Sequence, residues 1–323
     1  MELNMRYATT ADGVCIAFAT AGRGLPVIRA PFSVFSHCQL EWRQSPFFEH
    51  LSRPRMIVPF DPRGSGLSDR NVDDYSLAAR KLDIDAVAAA LGLSRFALHG
   101  IGGSGALAIS YAVEHPERVS HLILDDAFVN GHAYVNSPQN VARFQLLDDW
   151  EALTEYVAFT SLGYGGEEGL RYAEYLRACT TPEALAKWWA AQDQVDVTDL
   201  LPLVEAPTLI MQHRGVRGVR LDEGSQMAMR ISNARLLVLE GKQGDVDLVL
   251  SAIGEFLGDE VASPAPDRRP SAFRTVLFTD IVGHTEMMQR LGDAKGRDVL
   301  REHERITRET LKAHGGAEVK TMG

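Results

Sequence analysis

Along the first 257 positions, apolar residues fall into short runs separated by longer stretches in which they recur every three or four residues. The short runs lie at 14–20, 27–30, 56–60, 96–99, 119–124, 209–211 and 236–239. They are too brief for helices and predict strands, whereas 76–91, 106–115 and 247–257 carry helical spacing. Strands alternating with helices imply βαβ units, hence a mostly parallel sheet with helices on both faces. Residues 131–200 break the alternation with a helical stretch bearing Trp and Tyr (DDWEALTEYVAF, RYAEYLRAC, PEALAKWWAAQ). Its natural place is a helical lid over the carboxyl ends of the strands.

The pattern changes again after the last helix. GDEVASPAPDRRPS at 258–271 has three prolines, mixed charge and little apolar content, and reads as a linker. A fresh apolar strand at 274–278 follows, then a polar amphipathic helix to about residue 314. The expected organisation is a first domain at 1–260, a linker at 261–272 and a second segment at 273–323. A chain of 323 residues has ample core for one large unit and a smaller one. Its net charge of −10 argues against a nucleic-acid groove, which needs a basic face. No run of about 18 apolar residues predicts a membrane span, and MELNMRYATTADG lacks the basic start and apolar stretch of a signal peptide. Cys15, Cys38 and Cys179 are odd in number and lack metal-ligand spacing, so they read as reduced thiols. A cytoplasmic location is expected on these grounds.

Several stretches carry candidate chemistry. FDPRGSGLSD at 60–69 is a Gly-rich turn after a strand, and GIGGSGA at 100–106 joins a strand to a helix that ends in HPERV at 115–119. APTLI at 206–210 opens a later strand. In order and spacing, over roughly 240 residues, this set resembles the α/β-hydrolase superfamily. The resemblance implies a nucleophile on the sharp strand-to-helix turn, G-x-S-x-G, with the following backbone N–H groups aimed at an oxyanion.

Here Gly102 stands at the nucleophile position and has no side chain to attack with. Ser104, two residues on, is either a displaced nucleophile or a residue that caps and packs the first helical turn. The family's histidine follows the last strand. The matching stretch, LEGKQGD at 239–245, places Gly244 there, and no histidine lies between His213 and His284. QHRGVRGV at 212–219 holds no carboxylate, with Val216 at the aspartate position. Asp125 or Asp126 can stand in for the acid, but neither replaces nucleophile and base, and an unassisted Ser is a poor nucleophile at neutral pH. His37 faces the pocket or is structural, and His99 reads as structural. The expectation is a catalytically dead domain whose emptied pocket is vestigial or takes a small apolar ligand, with no cofactor of its own.

A second constellation lies beyond the linker. VLFTDIVGHT at 276–285, LGD at 291–293 and GGAEVKTMG at 315–323 resemble the opening of a class III nucleotide cyclase domain. That resemblance implies that Asp280 gives a carboxylate, and Ile281 its backbone carbonyl, to two divalent cations, Mg²⁺ or Mn²⁺. It also implies that Lys320 binds the base of ATP. The metal-binding aspartate expected after Gly323 is absent, so the chain as given is expected to make no cyclic nucleotide. The combined expectation is the N-terminal portion of an adenylate cyclase acting as a homodimer, with the hydrolase-like domain as regulatory sensor. Two rivals stand beside it: an esterase-like hydrolase using Ser104, and a purely dimerising module.

Overall fold

The computed structural model describes residues 3–44, 46–162, 166–214, 221–240 and 246–258, with helical positions scattered between 290 and 306. The chain divides into two compact units, Met1–Val261 and Ala262–Gly323. In the second, the described helical positions carry ion pairs one turn apart, Arg301 with Asp298 and Arg305 with Glu302, each at 2.6 Å.

The first unit opens with an antiparallel hairpin, β1 (Arg6–Thr9) and β2 (Cys15–Phe18). Next come β3 (Pro26–Ala30), α1 (Cys38–Gln44), α2 (Pro46–Ser52), β4 (Met56–Pro59) and α3 (Leu77–Ala90). After these, β5 (Phe96–Ile101) leads into α4 (Ser104–Glu114), followed by β6 (Val119–Asp125). Five helices then intervene: α5 (Gly131–Val135), α6 (Pro138–Phe144), α7 (Trp150–Val157), α8 (Gly166–Cys179) and α9 (Pro182–Asp193). The chain returns through β7 (Thr208–His213), α10 (Leu221–Arg230), β8 (Ala234–Leu239) and α11 (Val246–Leu257).

Six strands form one parallel sheet in the order β4-β3-β5-β6-β7-β8. The hairpin extends it, since Ala19 N–H donates to the Pro59 carbonyl and Ala21 exchanges both backbone bonds with Ile57. The central strands β3, β5, β6 and β7 bury residues on both faces, as a parallel sheet covered by helices requires, whereas the edge strand β8 buries only Leu239. Ile28, Val58, Leu98, Leu122 and Ile210 join the core under α3, α4 and α10. Their neighbours Val27, Ile57, Ala97, Ile123 and Leu209 join a second core with Val249 and Ile253 of α11. This alternation follows from the two-residue period of a strand. A third cluster, including Leu153, Tyr175, Leu185, Trp188 and Trp189, belongs to the helical insertion and packs on Val34, Val72 and Tyr75.

Strand order locates the site. The chain leaves β3 toward β4 on one side, then returns to place β5 on the other, so the carboxyl ends of β3 and β5 flank a switch point where ligands bind in open α/β sheets. Side chains of the FDPRGSGLSD turn stiffen the loops around it. Asp61 accepts backbone bonds from Cys38 at 2.6 Å and Leu67 at 2.9 Å. Gly66 has φ +53° and a side chain there would strike the Asp61 carboxylate, so only glycine fits. Arg63 is buried and bridges Asp83 at 2.9 Å and Asp12 at 2.7 Å.

Candidate functional site

The strand-to-helix turn after β5 adopts the strained form its sequence demands. Gly102 has φ +50°, its N–H donates to the Asp125 carbonyl at 2.9 Å, and its own carbonyl accepts from Gly105 at 3.0 Å. A Cβ on Gly102 would lie 2.0 Å from two ring carbons of Phe32, which follows β3. The space a nucleophile's side chain would take is therefore filled by that ring. Phe32 meets Tyr134 edge-on, and Tyr134 stacks on Phe128 at 4.0 Å between centroids, so the lid holds the plug. Trp188 closes over the next position, 3.0 Å from where a Gly103 side chain would begin.

Ser104 starts α4 and is buried, and its hydroxyl donates to the Pro31 carbonyl. That directs it toward the β3 side of the turn. It lines a cavity of about 10 Å³ together with Tyr75, Arg80, Asp83 and Trp188, room for a single water. Among the described residues no histidine lines this cavity, so none of them gives Ser104 a base there.

An acid–base pair is nonetheless present, on the opposite side of β5. β6 ends at Asp125, and the next residue, Asp126, is the one non-glycine with positive φ among the described residues, at +43°. Asp is among the types that tolerate this region. The bend turns the Asp126 carboxylate across to the end of β7. There its Oδ1 accepts from the His213 backbone N–H at 2.7 Å and from Gln212 Nε2 at 3.3 Å, while Oδ2 lies 2.8 Å from His213 Nδ1. Asp125 sits alongside, its Oδ1 3.7 Å from His213 Nδ1 and its Oδ2 3.7 Å from His99 Nε2. Asp125, Asp126, Gln212, His213 and His99 thus form one polar cluster beside the turn.

The cluster's charge is uneven. Burial pulls the His213 pKa down, but the bond to Asp126 and the two carboxylates outweigh it and hold the imidazole above its ordinary value. Burial pushes the Asp126 carboxyl up, with Asp125 adding to the rise. His99 is pulled below the ordinary histidine value by burial, against the pull of Asp125. With Nδ1 engaged by Asp126, His213 Nε2 is left without a partner. A carboxylate on one ring nitrogen and no partner on the other is the pairing that a general base uses, although here that second nitrogen is buried.

The remaining sequence-predicted positions divide simply. His37 is buried at the start of α1 with Nδ1 unpartnered. Val216, Gly244, Asp280, Ile281 and Lys320 lie outside the described residues. Motif matching passed over His213 because the family keeps its base after the last strand. Its signal was nevertheless there: a histidine closing one apolar run and an Asp-Asp pair closing the run before it.

Comparison with known proteins agrees with this frame. Residues 35–163 match the family model for the alpha/beta hydrolase fold. An N-formylmaleamate deformylase of Pseudomonas putida is 29% identical over 216 residues, covering 61% of this chain and 76% of the relative. A putative carbamate hydrolase, RutD, of a Caulobacter species is 24% identical over 196 residues, covering 58% and 72%. The crystal structure of a hydrolase from Pseudomonas aeruginosa superposes with a TM-score of 0.68 at 22% identity, covering 79% of this chain and 98% of its own. These likenesses overturn the expectation that the chain is an adenylate cyclase fragment with a dead hydrolase-like domain. Both relatives are named as hydrolases, and the structure sets His213 against Asp126, a pairing that motif matching had passed over. No described helix is long and apolar enough to cross a membrane. By sheet order, turn geometry and these likenesses, the first unit is an α/β-hydrolase-fold domain.

Proposed function

We propose that the chain hydrolyses a small ester or amide, with water as nucleophile and His213 as general base. The observation that carries this reading is the Asp126–His213 pair, 2.8 Å between Oδ2 and Nδ1, at the strand ends beside the turn. Gly102 offers nothing to attack with and Ser104 is tied to Pro31, so an acyl-enzyme on either has no support. The hydrolases among the relatives support the class of reaction.

In this mechanism His213 Nε2 takes a proton from water as its oxygen adds to the carbonyl carbon. The developing oxyanion faces the N–H of Gly103 at the start of α4, where helix-terminal donors favour negative charge. Collapse expels alcohol or amine, which takes the proton back from His213. Asp126 fixes the tautomer and stabilises the imidazolium. Phe32 stands where the carbonyl must come, so each turnover requires its ring to move aside.

The test is hydrolysis of short-chain nitrophenyl esters by the full chain, His213→Ala and Ser104→Ala. We expect His213→Ala to lose about 10²–10⁴-fold and Ser104→Ala to keep its rate. Wild-type turnover no faster than buffer would sink the reading. Loss confined to Ser104→Ala would instead make Ser104 the nucleophile.

A further inference from the structure

We propose that Asp125, Asp126 and His213 hold one divalent transition-metal ion, with His99 positioning Asp125 for it. One ligand atom from each of the three residues lies within 4.8 Å of the others. The edges from His213 Nδ1 are 2.8 Å to Asp126 and 3.7 Å to Asp125. Ligands about 2.0–2.2 Å from a shared tetrahedral ion lie roughly 3.3 Å apart, so the two edges from His213 each need a shift of about half an ångström.

Unsatisfied atoms at the same place point to a missing ligand. His99 is 2% exposed, and its Nε2 has no hydrogen-bond partner although it faces Asp125 Oδ2 at 3.7 Å. Asp125 Oδ1, Gln212 Oε1 and His213 Nε2 are likewise buried without partners. Of these, Asp125 Oδ1 faces His213 Nδ1 at 3.7 Å and is the atom that an ion on Nδ1 would satisfy, and a buried group without a partner calls for such an explanation. Two adjacent carboxylates at a strand end also repel each other, and a cation between them removes that cost.

The ligand types select the ion. An imidazole with two carboxylates suits zinc and its neighbours, whereas Ca²⁺ needs six to eight oxygens. Three protein ligands leave a fourth place for water, the arrangement of catalytic rather than structural zinc sites. His99 Nε2 lies 3.7 Å from the outer oxygen of Asp125, where closing to hydrogen-bond distance would let it orient that carboxylate as outer-layer groups do in metal sites. The ion takes Nδ1 of His213 and displaces the proton shared with Asp126, so binding releases a proton to solvent. The inference stands on the cluster itself, and because an ion on Nδ1 leaves the imidazole proton on Nε2, the metal-free chain is the form in which His213 can serve as base.

The experiment is equilibrium dialysis of metal-stripped full chain against Zn²⁺, with Co²⁺ absorption as a reporter of ligand geometry. Wild type is expected to bind one equivalent and to give the intense bands of four-coordinate cobalt. His213→Gln and Asp125→Asn should each abolish that equivalent, and His99→Gln should weaken it about 10–100-fold, with circular dichroism confirming each fold. A wild type that binds no Zn²⁺ overturns the proposal. So does a bound equivalent that survives in the folded His213→Gln and Asp125→Asn variants. Because binding is read without substrate, its failure is separate from failure of the ester assay.

Discussion

His213 gains its charge preference from two residues on the neighbouring strand end, and stability must register this. Its folded pKa lies above the ordinary histidine value, so the folded chain holds the proton more tightly than the unfolded one. The resulting stabilisation is complete below about pH 6.5, the unfolded value, and is lost as pH rises through the folded pKa. Asp126, whose carboxyl is also raised by burial, acts in the same sense at lower pH. Urea melts of wild type and His213→Gln should show a stability gap that narrows from about pH 6 to pH 8. A gap that widens with pH would mean that His213 is held neutral.

At the scale of elements, the turn between β5 and α4 and the segment after β3 compete for one volume. Serine at position 102 meets the Phe32 ring and must also adopt φ +50°. Overpacking of this kind typically costs about 1–3 kcal/mol, with positive φ adding to it. Gly102→Ser is therefore expected to destabilise by at least that amount. Phe32→Ala in the same chain should recover most of the steric part, a coupling that a double-mutant cycle measures directly. Additive losses would show that Phe32 does not fill the nucleophile's place.

The same elements show what the sequence could convey. β3 to β8, α3, α4 and α11 were legible because each carries an apolar set at its own period. β1 was not, since only Ala8 of its four residues is buried. α10 was not, because LDEGSQMAMR offers little apolar periodicity and is anchored mainly by Met227. The missing nucleophile was readable as Gly102, but the filled space beside it was not, because Phe32 lies 70 residues away and joins the turn only through β3–β5 pairing. The Asp126–His213 bond was hidden similarly: 87 residues separate partners that β6–β7 pairing makes neighbours.

Over the whole molecule, the first unit has its own sheet, lid and cores, and the likenesses to hydrolases belong to that fold. Residues 1–261 alone should melt in one cooperative transition within a few degrees of the corresponding transition in the full chain, as calorimetry would record. A broad or lost transition would show that residues 262–323 contribute to the hydrolase-fold core. The lid has a further consequence. It departs after β6 and returns to β7, which are adjacent strands, and its two ends are joined near their base: Gly131 N–H donates to the Val195 carbonyl at 2.7 Å and Val197 N–H to that of Val129 at 3.0 Å. Everything between residues 131 and 195 is thus a detour that begins and ends at one closed neck. Mutation can lengthen, shorten or exchange that detour without shifting the strand register that brings Asp126 to His213. Substrate preference and proton-handling chemistry can in this way diversify independently of each other.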